Sequence, residues 1–342
     1  MAIHTMTDLL QMQSLPLEAK VAMTRTRIKG WVNEYGRDGV YVSFSGGKDS
    51  TVLLDIVRNV CGYEDIPAVF VDVPTQYPEL REFAKTFDNL EILKPKLSFM
   101  DVCDKYGFPL ISKEVAHKMS DWYTRHEKGL ESYVDRQFDG TFVSKNGKTN
   151  FISIKQYGYL REAPFKISHK CCNEMKKKPV HKYSKDTGRM PMTAQMAEES
   201  KLRTQQWLLH GCNGFDMKSP ISNPMSFWTE QDVLQYIKTR NLPICSVYGE
   251  VVTDYEAMGE LDGQSHLFET GAEPLKTTGC SRTGCMLCGF GCHLEKSPNR
   301  FEMLKETHPK MYNLLDVCKN NGVTFREAIE WTNEHGNLNI KL

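Results

Sequence analysis

The spacing of apolar residues predicts alternating helices and strands in the first third of the chain. Between 16 and 35, apolar side chains recur every three or four positions, which predicts a helix. Short apolar runs predict three buried strands, at 39–44, 66–73 and 90–93. Helical patterns at 48–60 and 78–88 separate them. This alternation is typical of an α/β fold with a doubly wound parallel sheet.

The pattern weakens from about 96 to 168, and we interpret this stretch as an insertion. It contains a predicted helix at 111–126 and then an aromatic, polar segment. Regular patterns return beyond it: helices at 171–185, 198–210 and 229–240, and a strand at 190–196. The hydroxyl of Thr229 suits the start of the last of these helices.

These patterns divide the chain into three predicted parts. A helical segment at 1–37 precedes an α/β domain at 38–250, which carries the insertion, and a cysteine-rich region follows at 251–342. A chain of 342 residues is long enough to bury a substantial core.

The composition narrows the class of protein. Apolar residues make up 40% and charged residues 25%, with 43 basic and 43 acidic side chains, so net charge gives no argument for nucleic-acid or membrane binding. We find no export signal and no membrane span, and we therefore expect a cytoplasmic protein. Because the cytosol keeps thiols reduced, the eleven cysteines favour metal or sulfur chemistry over disulfides.

The segment 42–51, "VSFSGGKDST", combines the features of an anion site. Gly46 and Gly47 allow a tight turn and a close approach to a ligand. The following helix start presents free N–H groups and a favourable dipole. Lys48 adds a positive charge, and the hydroxyls of Ser45 and Ser50 are further donors. An aspartate beside a phosphate, at position 49, indicates a magnesium ion or a loop-orienting role.

This segment resembles the SGGxDS loop of the PP-loop ATP pyrophosphatases, at all six positions from Ser45 to Ser50. The resemblance implies a HUP-type, adenine nucleotide alpha hydrolase-like fold that binds the pyrophosphate part of ATP. It also implies that AMP is transferred to a substrate, with Lys48 and Asp49 in catalytic positions.

Later segments are similar to the phosphoadenosine phosphosulfate (PAPS) reductase branch of that superfamily: "VFVDVPTQYPEL", "CCNEMKKKP", "MAEESKLR", "SNPMSFWTEQDVLQYI" and "LPICSVYGE". The resemblance covers roughly 38–95 and 165–300. It implies that Asp72, Glu199 and Arg203 lie close to the nucleotide, with Arg203 also catalytic.

Two departures from that branch change the expected reaction. Its reductases usually have a degraded loop, whereas Lys48 and Asp49 are intact here, which favours ATP as the ligand. The reductases also carry a catalytic cysteine in a C-terminal Glu-Cys-Gly-x-His segment, whereas the last cysteine here, Cys318, lies in "LLDVCKNNG". Relatives with an intact loop include the ATP sulfurylase small subunit and the DNA phosphorothioation sulfurtransferase. The second is the nearer analogue, since it combines the loop with cluster-binding cysteines.

Four cysteines lie within thirteen glycine-rich residues: Cys280, Cys285, Cys288 and Cys292. Such short spacings let several thiolates converge on one centre, and both zinc and an iron–sulfur cluster accept four thiolates. The resemblance to adenosine phosphosulfate (APS) reductases favours a [4Fe–4S] cluster over zinc. It implies the ligand set Cys171, Cys172, Cys285 and Cys288; a set of Cys172, Cys285, Cys288 and Cys292 stays open as the alternative.

The sequence thus predicts an enzyme that binds Mg-ATP, adenylates a substrate with release of pyrophosphate and supports iron–sulfur-dependent sulfur transfer. The first alternative is a PAPS or APS reductase that releases sulfite, and the second is a zinc-stabilised nucleic-acid-binding module with an inactive nucleotide site. The expected partners are an adenine nucleotide and a sulfur donor or thiol reductant. A nucleic acid is one candidate acceptor, and the sequence leaves a homo-oligomer open.

Overall fold

The structure, a computed structural model, describes residues 3–143, 154–257 and 273–342. The chain divides into two compact units. Unit 1 comprises Met1–Asp72, Tyr77–Leu93 and Val180–Thr283, and unit 2 comprises Val73–Gln76, Lys94–Pro179 and Gly284–Leu342. In the described ranges, no helix has both the length and the apolar character needed to cross a membrane.

Unit 1 is built around a six-stranded sheet. In spatial order its strands are Leu90–Leu93, Ala68–Val71, Val40–Phe44, Met190–Met192, Ile221–Ser222 and Asn213–Gly214. Neighbouring strands are parallel, except that the last two are antiparallel. The strand Val40–Phe44 is apolar and buried at four of its five positions, as expected for a sheet that helices cover on both faces. The predicted α/β fold with a mainly parallel sheet is confirmed.

The helices of unit 1 follow the predicted periodicity closely. They are Met6–Gln13, Leu17–Tyr35, Lys48–Asp55, Pro78–Ala84, Lys178–Thr187 (which starts in unit 2), Lys201–His210 and Glu230–Arg240. As predicted, the hydroxyl of Thr229 caps the last of them by accepting from the N–H of Asp232. The strand predicted at 190–196 ends earlier, at Met192. A short antiparallel pair, Val251–Thr253 with Leu275–Thr277, completes the described elements of the unit.

The core of unit 1 lies between the sheet and its helices. Three tryptophans, Trp31, Trp207 and Trp228, are at most 2% exposed. Lys20 is also buried, and its ammonium contacts both carboxylate oxygens of Asp232 at 2.6 and 2.7 Å. This buried ion pair joins the N-terminal helix of 17–35 to the helix that Thr229 caps.

Unit 2 is mainly helical. Its helices are Phe99–Tyr106, Lys113–His126, Tyr133–Phe138, Lys170–Cys172, Arg300–Thr307, Pro309–Tyr312, Leu314–Val317 and Phe325–Gly336. Two short strand pairs accompany them: Leu110–Ile111 with Gly289–Phe290, and Lys319–Asn320 with Val323–Thr324. Phe108 and Phe325 stack at 4.8 Å in a buried aromatic core.

The predicted insertion at 96–168 belongs to unit 2, and so does the chain from 284 onward. Of the four closely spaced cysteines, Cys280 is therefore in unit 1 and the other three are in unit 2. Part of the polar segment of the insertion, 144–153, lies outside the described residues.

Candidate functional site

The predicted anion loop, residues 45–50 of unit 1, joins the central strand to a helix, as the sequence predicts. The strand Val40–Phe44 ends one residue before Ser45, and the helix Lys48–Asp55 begins directly after Gly47. The first N–H groups of this helix have no carbonyl partners within the helix, so they are free to donate hydrogen bonds at the loop. Residues 45–50 therefore have the strand-to-helix geometry that an anion site requires.

The surroundings of the loop require glycine at position 46 and leave little space at position 47. Gly46 has a φ of 72°, in the left-handed region, and a Cβ there would lie 2.9 Å from the carbonyl oxygen of Leu80. A Cβ on Gly47 would lie 3.1 Å from the hydroxyl of Tyr248. A side chain at Gly46 would therefore meet the backbone in a strained conformation, whereas one at Gly47 would require the neighbouring hydroxyls to shift by a few tenths of an ångström.

The serine hydroxyls hold the shape of the loop. The Oγ atoms of Ser45 and Ser50 lie 3.0 Å apart, and Ser45 Oγ accepts from the N–H of Gly47 at 3.2 Å. Ser50 Oγ donates to the carbonyl of Gly47 at 2.9 Å. These bonds close the turn internally and keep both hydroxyls beside the helix start.

Lys48 is the buried cation of the loop. Its side chain is 3% exposed, and its ammonium lies 3.3 Å from Asp49 Oδ1 and 3.1 Å from Glu230 Oε1. Burial alone would lower the pKa of Lys48, but the two carboxylates outweigh it and raise the pKa. The loop therefore holds a permanent positive charge at neutral pH, with two carboxylates beside it.

Tyr248 covers the loop from the C-terminal half of unit 1. It is buried, its hydroxyl lies 2.7 Å from that of Thr283, and its ring lies 5.8 Å from the ammonium of Lys48. Tyr248 and Glu230 both lie in family-like segments, but no role was predicted for either of them, and Thr283 was missed. Their positions follow from chain folding over about 200 residues, which no local pattern reports.

The predicted nucleotide residue Asp72 directly follows a strand of the sheet. Its carboxylate accepts from Nε of Arg81 at 2.7 Å. Arg81 lies on the helix Pro78–Ala84, which also carries the Leu80 carbonyl that closes on Gly46. Asp72 thus helps to fix the helix that packs against the loop.

Glu199 and Arg203 form an ion pair next to the start of the helix Lys201–His210. The carboxylate of Glu199 also accepts from the N–H of Met196 at 2.9 Å and lies 4.0 Å from the guanidinium of Arg282. Arg203 is close enough to Asp49 to interact with it electrostatically. Two arginines therefore supply positive charge on the side of the loop where Asp49 lies.

Unit 2 contains a second candidate site, a pocket lined by four thiols. Cys171 and Cys172 come from the helix Lys170–Cys172, and Cys285 and Cys288 from the glycine-rich segment of 284–291. The cavity measures about 320 Å³ up to its open mouth. Its remaining lining residues are Thr75, Phe99, Pro109, Met175, Lys176 and Leu287. The first ligand set implied by the sequence is thus brought to one cavity.

The thiols of the pocket are electrostatically coupled to lysine. Lys176 is hydrogen-bonded to Cys285, and this thiol together with Cys172 raises the pKa of Lys176 despite its burial. A hydrogen bond from Cys171 and the nearby lysines lower the pKa of Cys172 to about 6. The pKa of Cys171 is raised, first by that same bond and then by burial. The pocket therefore favours one thiolate with an ammonium beside it.

Cys292 and Cys280 are not among the described residues that line this pocket. Cys292 is 1% exposed, and burial followed by the charge of Glu295 raises its pKa to about 12. Cys280, in unit 1, contacts the hydroxyl of Tyr77 at 3.9 Å. The geometry therefore favours Cys171 over Cys292 as the fourth thiol, although the ligand set itself stays a prediction.

The donor chemistry of the pocket fits a thiolate-bound group. Four sulfur donors and a neighbouring cation suit an anionic iron–sulfur cluster, and the hydroxyl of Thr75 in the lining is buried without a hydrogen-bond partner. Within 3–143, 154–257 and 273–342, however, no group of three or more His, Cys, Asp or Glu is arranged to hold a metal ion. The cofactor therefore remains a prediction.

Comparison with known proteins gives one family. The family model described as "Phosphoadenosine phosphosulfate reductase domain" matches residues 39–109 and 100–289, which is more than half of the chain. Curated proteins gave no match. Among solved structures, the chain is similar to phosphoadenylyl-sulfate (PAPS) reductase from Candida auris in its phosphate complex, with 16% identity and a TM-score of 0.35. That match covers 65% of this chain and 82% of the other.

Proposed function

Since the chain belongs to the phosphoadenosine phosphosulfate reductase family, we propose that unit 1 is an adenine-nucleotide site whose ligand is Mg-ATP. The observation that carries this proposal is Lys48, a protonated lysine 3% exposed at the start of a helix, between Asp49 and Glu230. Phosphates bind to the loop amides and to this ammonium. Asp49 and Glu230 would hold the magnesium ion of Mg-ATP, which would compensate the charge of the phosphates, because Mg²⁺ favours carboxylate and phosphate oxygens.

The proposed reaction is adenylation of an oxygen on the acceptor. The acceptor oxygen forms a bond to the α-phosphorus of ATP while the bond from that phosphorus to the bridging oxygen breaks, and pyrophosphate leaves. Lys48 and the loop amides stabilise the negative charge that grows on the leaving group. Arg203, which interacts electrostatically with Asp49, would hold the phosphates in line.

Unit 2 would supply sulfur chemistry in this proposal. Cys171, Cys172, Cys285 and Cys288 would hold a [4Fe–4S] cluster, and Lys176 would compensate its negative charge. Such a cluster, when bound, supplies electrons and a thiophilic surface for a sulfur donor. A hydrosulfide ion from the sulfur donor would then form a bond to the acceptor atom that carries the adenylated oxygen. The bond from that atom to the oxygen breaks and AMP leaves with the oxygen, because AMP is a far better leaving group than hydroxide.

The test is anaerobic incubation of the full chain with ATP labelled at the α-phosphate. Sulfate, a nucleoside and a DNA duplex serve as candidate acceptors. We expect labelled AMP and stoichiometric pyrophosphate, both lost in Lys48→Met. Labelled ADP without AMP would contradict adenylation. The acceptor that stimulates AMP formation identifies the substrate class.

A PAPS or APS reductase is the second candidate, and the family itself favours it. Direct reduction needs a thiol that reaches the substrate, whereas Cys318, the last cysteine of the chain, is fully buried against Cys103. Sulfite release from PAPS with a thiol reductant and without ATP would support the reductase. A colourless protein that binds zinc and nucleic acid but no nucleotide would support the third interpretation, a nucleic-acid-binding module.

A further inference from the structure

A short segment of unit 2 holds the thiol pocket in place from outside the cysteine motifs. The carbonyl of Thr75 accepts from the N–H of Met286 at 2.8 Å, and Gln76 pairs with Cys285 in an antiparallel bridge. Thr75 is therefore fixed by its backbone against the segment that carries Cys285 and Cys288. Thr75 lies in the family-like segment "VFVDVPTQYPEL", but no role was predicted for it from the sequence.

The buried hydroxyl of Thr75 lacks a hydrogen-bond partner among the described residues. The side chain lines the pocket, and the residue is only 1% exposed. Buried hydroxyls nearly always have a partner, because losing water without a replacement is unfavourable. A partner supplied by a bound group would satisfy this hydroxyl.

The lining defines the chemistry of that group. Four thiols and the ammonium of Lys176 face it together with apolar side chains, and no carboxylate is among the described lining residues. A group that accepts hydrogen bonds, carries negative charge and binds thiolates meets these conditions. The sulfurs of a thiolate-bound iron–sulfur cluster are such acceptors.

We propose that Thr75 is a positioning residue whose hydroxyl donates a hydrogen bond to a sulfur of the group in this pocket. The inference rests on the proposed function, which places an iron–sulfur cluster there. A hydrogen bond to a cluster sulfur stabilises the reduced, more negative form and raises the reduction potential. Thr75 thereby sets the potential at which this protein accepts an electron.

Replacing Thr75 by valine should leave the unfolding temperature of the metal-free protein unchanged or higher, but should lower the midpoint potential of the reconstituted protein. Thr75→Val keeps the branched shape but removes the hydroxyl, whereas Thr75→Ser keeps the hydroxyl. The metal-free Thr75→Val protein should unfold at the same or a higher temperature than the metal-free wild type, because a buried unpaired hydroxyl is gone. After reconstitution, its midpoint potential should be lower than that of the wild type, while Thr75→Ser stays close to the wild type.

Thr332→Val is the matched control. Thr332 is also a fully buried threonine of unit 2, but its hydroxyl donates to the carbonyl of Ala328 at 2.6 Å and does not line the pocket. This variant should unfold at a lower temperature and leave the midpoint potential unchanged. Comparing Thr332→Val with Thr75→Val distinguishes the effect of losing any buried threonine hydroxyl from the effect of losing the hydroxyl that lines the pocket.

The experiment is anaerobic reconstitution of the full chain with ferrous iron and sulfide. Iron and sulfide are then assayed, and the midpoint potential is titrated by electron paramagnetic resonance. A lower potential in Thr75→Val, with Thr75→Ser and the control unchanged, supports the proposal. Equal potentials in all variants overturn it and leave the proposed cluster standing. A wild type that binds no iron overturns both. If Thr75→Val fails to fold, Thr75→Ala is titrated against the same expectations.

Discussion

Replacing Lys48 by methionine tests the proposed nucleotide site most directly. Methionine preserves the length and the apolar stem of the side chain but removes the ammonium, which now contacts Asp49 at 3.3 Å and Glu230 at 3.1 Å. A bound phosphate would take the place of these carboxylates as the partner of the charge. Hydrogen bonds to charged groups contribute about 1.5–3 kcal/mol. We therefore expect nucleotide binding to weaken by roughly 10- to 150-fold.

Stability and binding can be separated with a second lysine of unit 1. Lys20 is as buried as Lys48 and is paired with Asp232, whose side chain is only 10% exposed. Lys20→Met leaves a buried carboxylate unpaired and should cost about 3–5 kcal/mol of folding free energy. The carboxylates beside Lys48 are 30% and 39% exposed, so solvent screens them and Lys48→Met should cost less.

The assay is isothermal titration of each folded variant with Mg-ATP and with PAPS, alongside thermal unfolding. Lys48→Met should lose affinity with a small change in unfolding temperature, and Lys20→Met should do the opposite. Wild-type affinity in folded Lys48→Met would refute the assignment of residues 45–50 as the phosphate site. A loss confined to PAPS would favour the reductase instead.

Three further predictions concern other contacts. Glu230→Gln removes a carboxylate that competes with phosphate for the loop ammonium, so metal-free ATP should bind up to roughly fivefold more tightly; weaker binding would contradict this. Arg300→Ala removes the 2.7 Å hydrogen bond to the carbonyl of Cys288, so less iron per chain should be retained after reconstitution, and an unchanged iron content would count against a supporting role. Asp135→Asn should lower the unfolding free energy by about 1 kcal/mol at pH 7. Burial of this aspartate raises its pKa, but the hydrogen bonds it accepts outweigh burial and bring the pKa below 3.8, so the difference should vanish only as pH falls below that value; a constant difference down to pH 2 would contradict this.

The sequence predicted the loop and its setting because both are local. The strand, the two glycines and the helix start are consecutive, and their spacing alone defines the turn and its exposed N–H groups. The helix cap at Thr229 was predicted for the same reason, since it involves residues three positions apart. The end of the strand at Met192 was not predicted, because pairing with a short neighbouring strand decides where this strand ends.

Only the tertiary structure decides which distant residues contact these local elements. Glu230 contacts Lys48 from 182 positions further along the chain, and no periodicity connects them. The choice of Cys171 over Cys292 as a pocket thiol depends on how two segments fold together, although all of these cysteines looked equivalent as sequence. The unpartnered hydroxyl of Thr75 is a further case, because burial and hydrogen bonding are properties of surroundings that only folding creates.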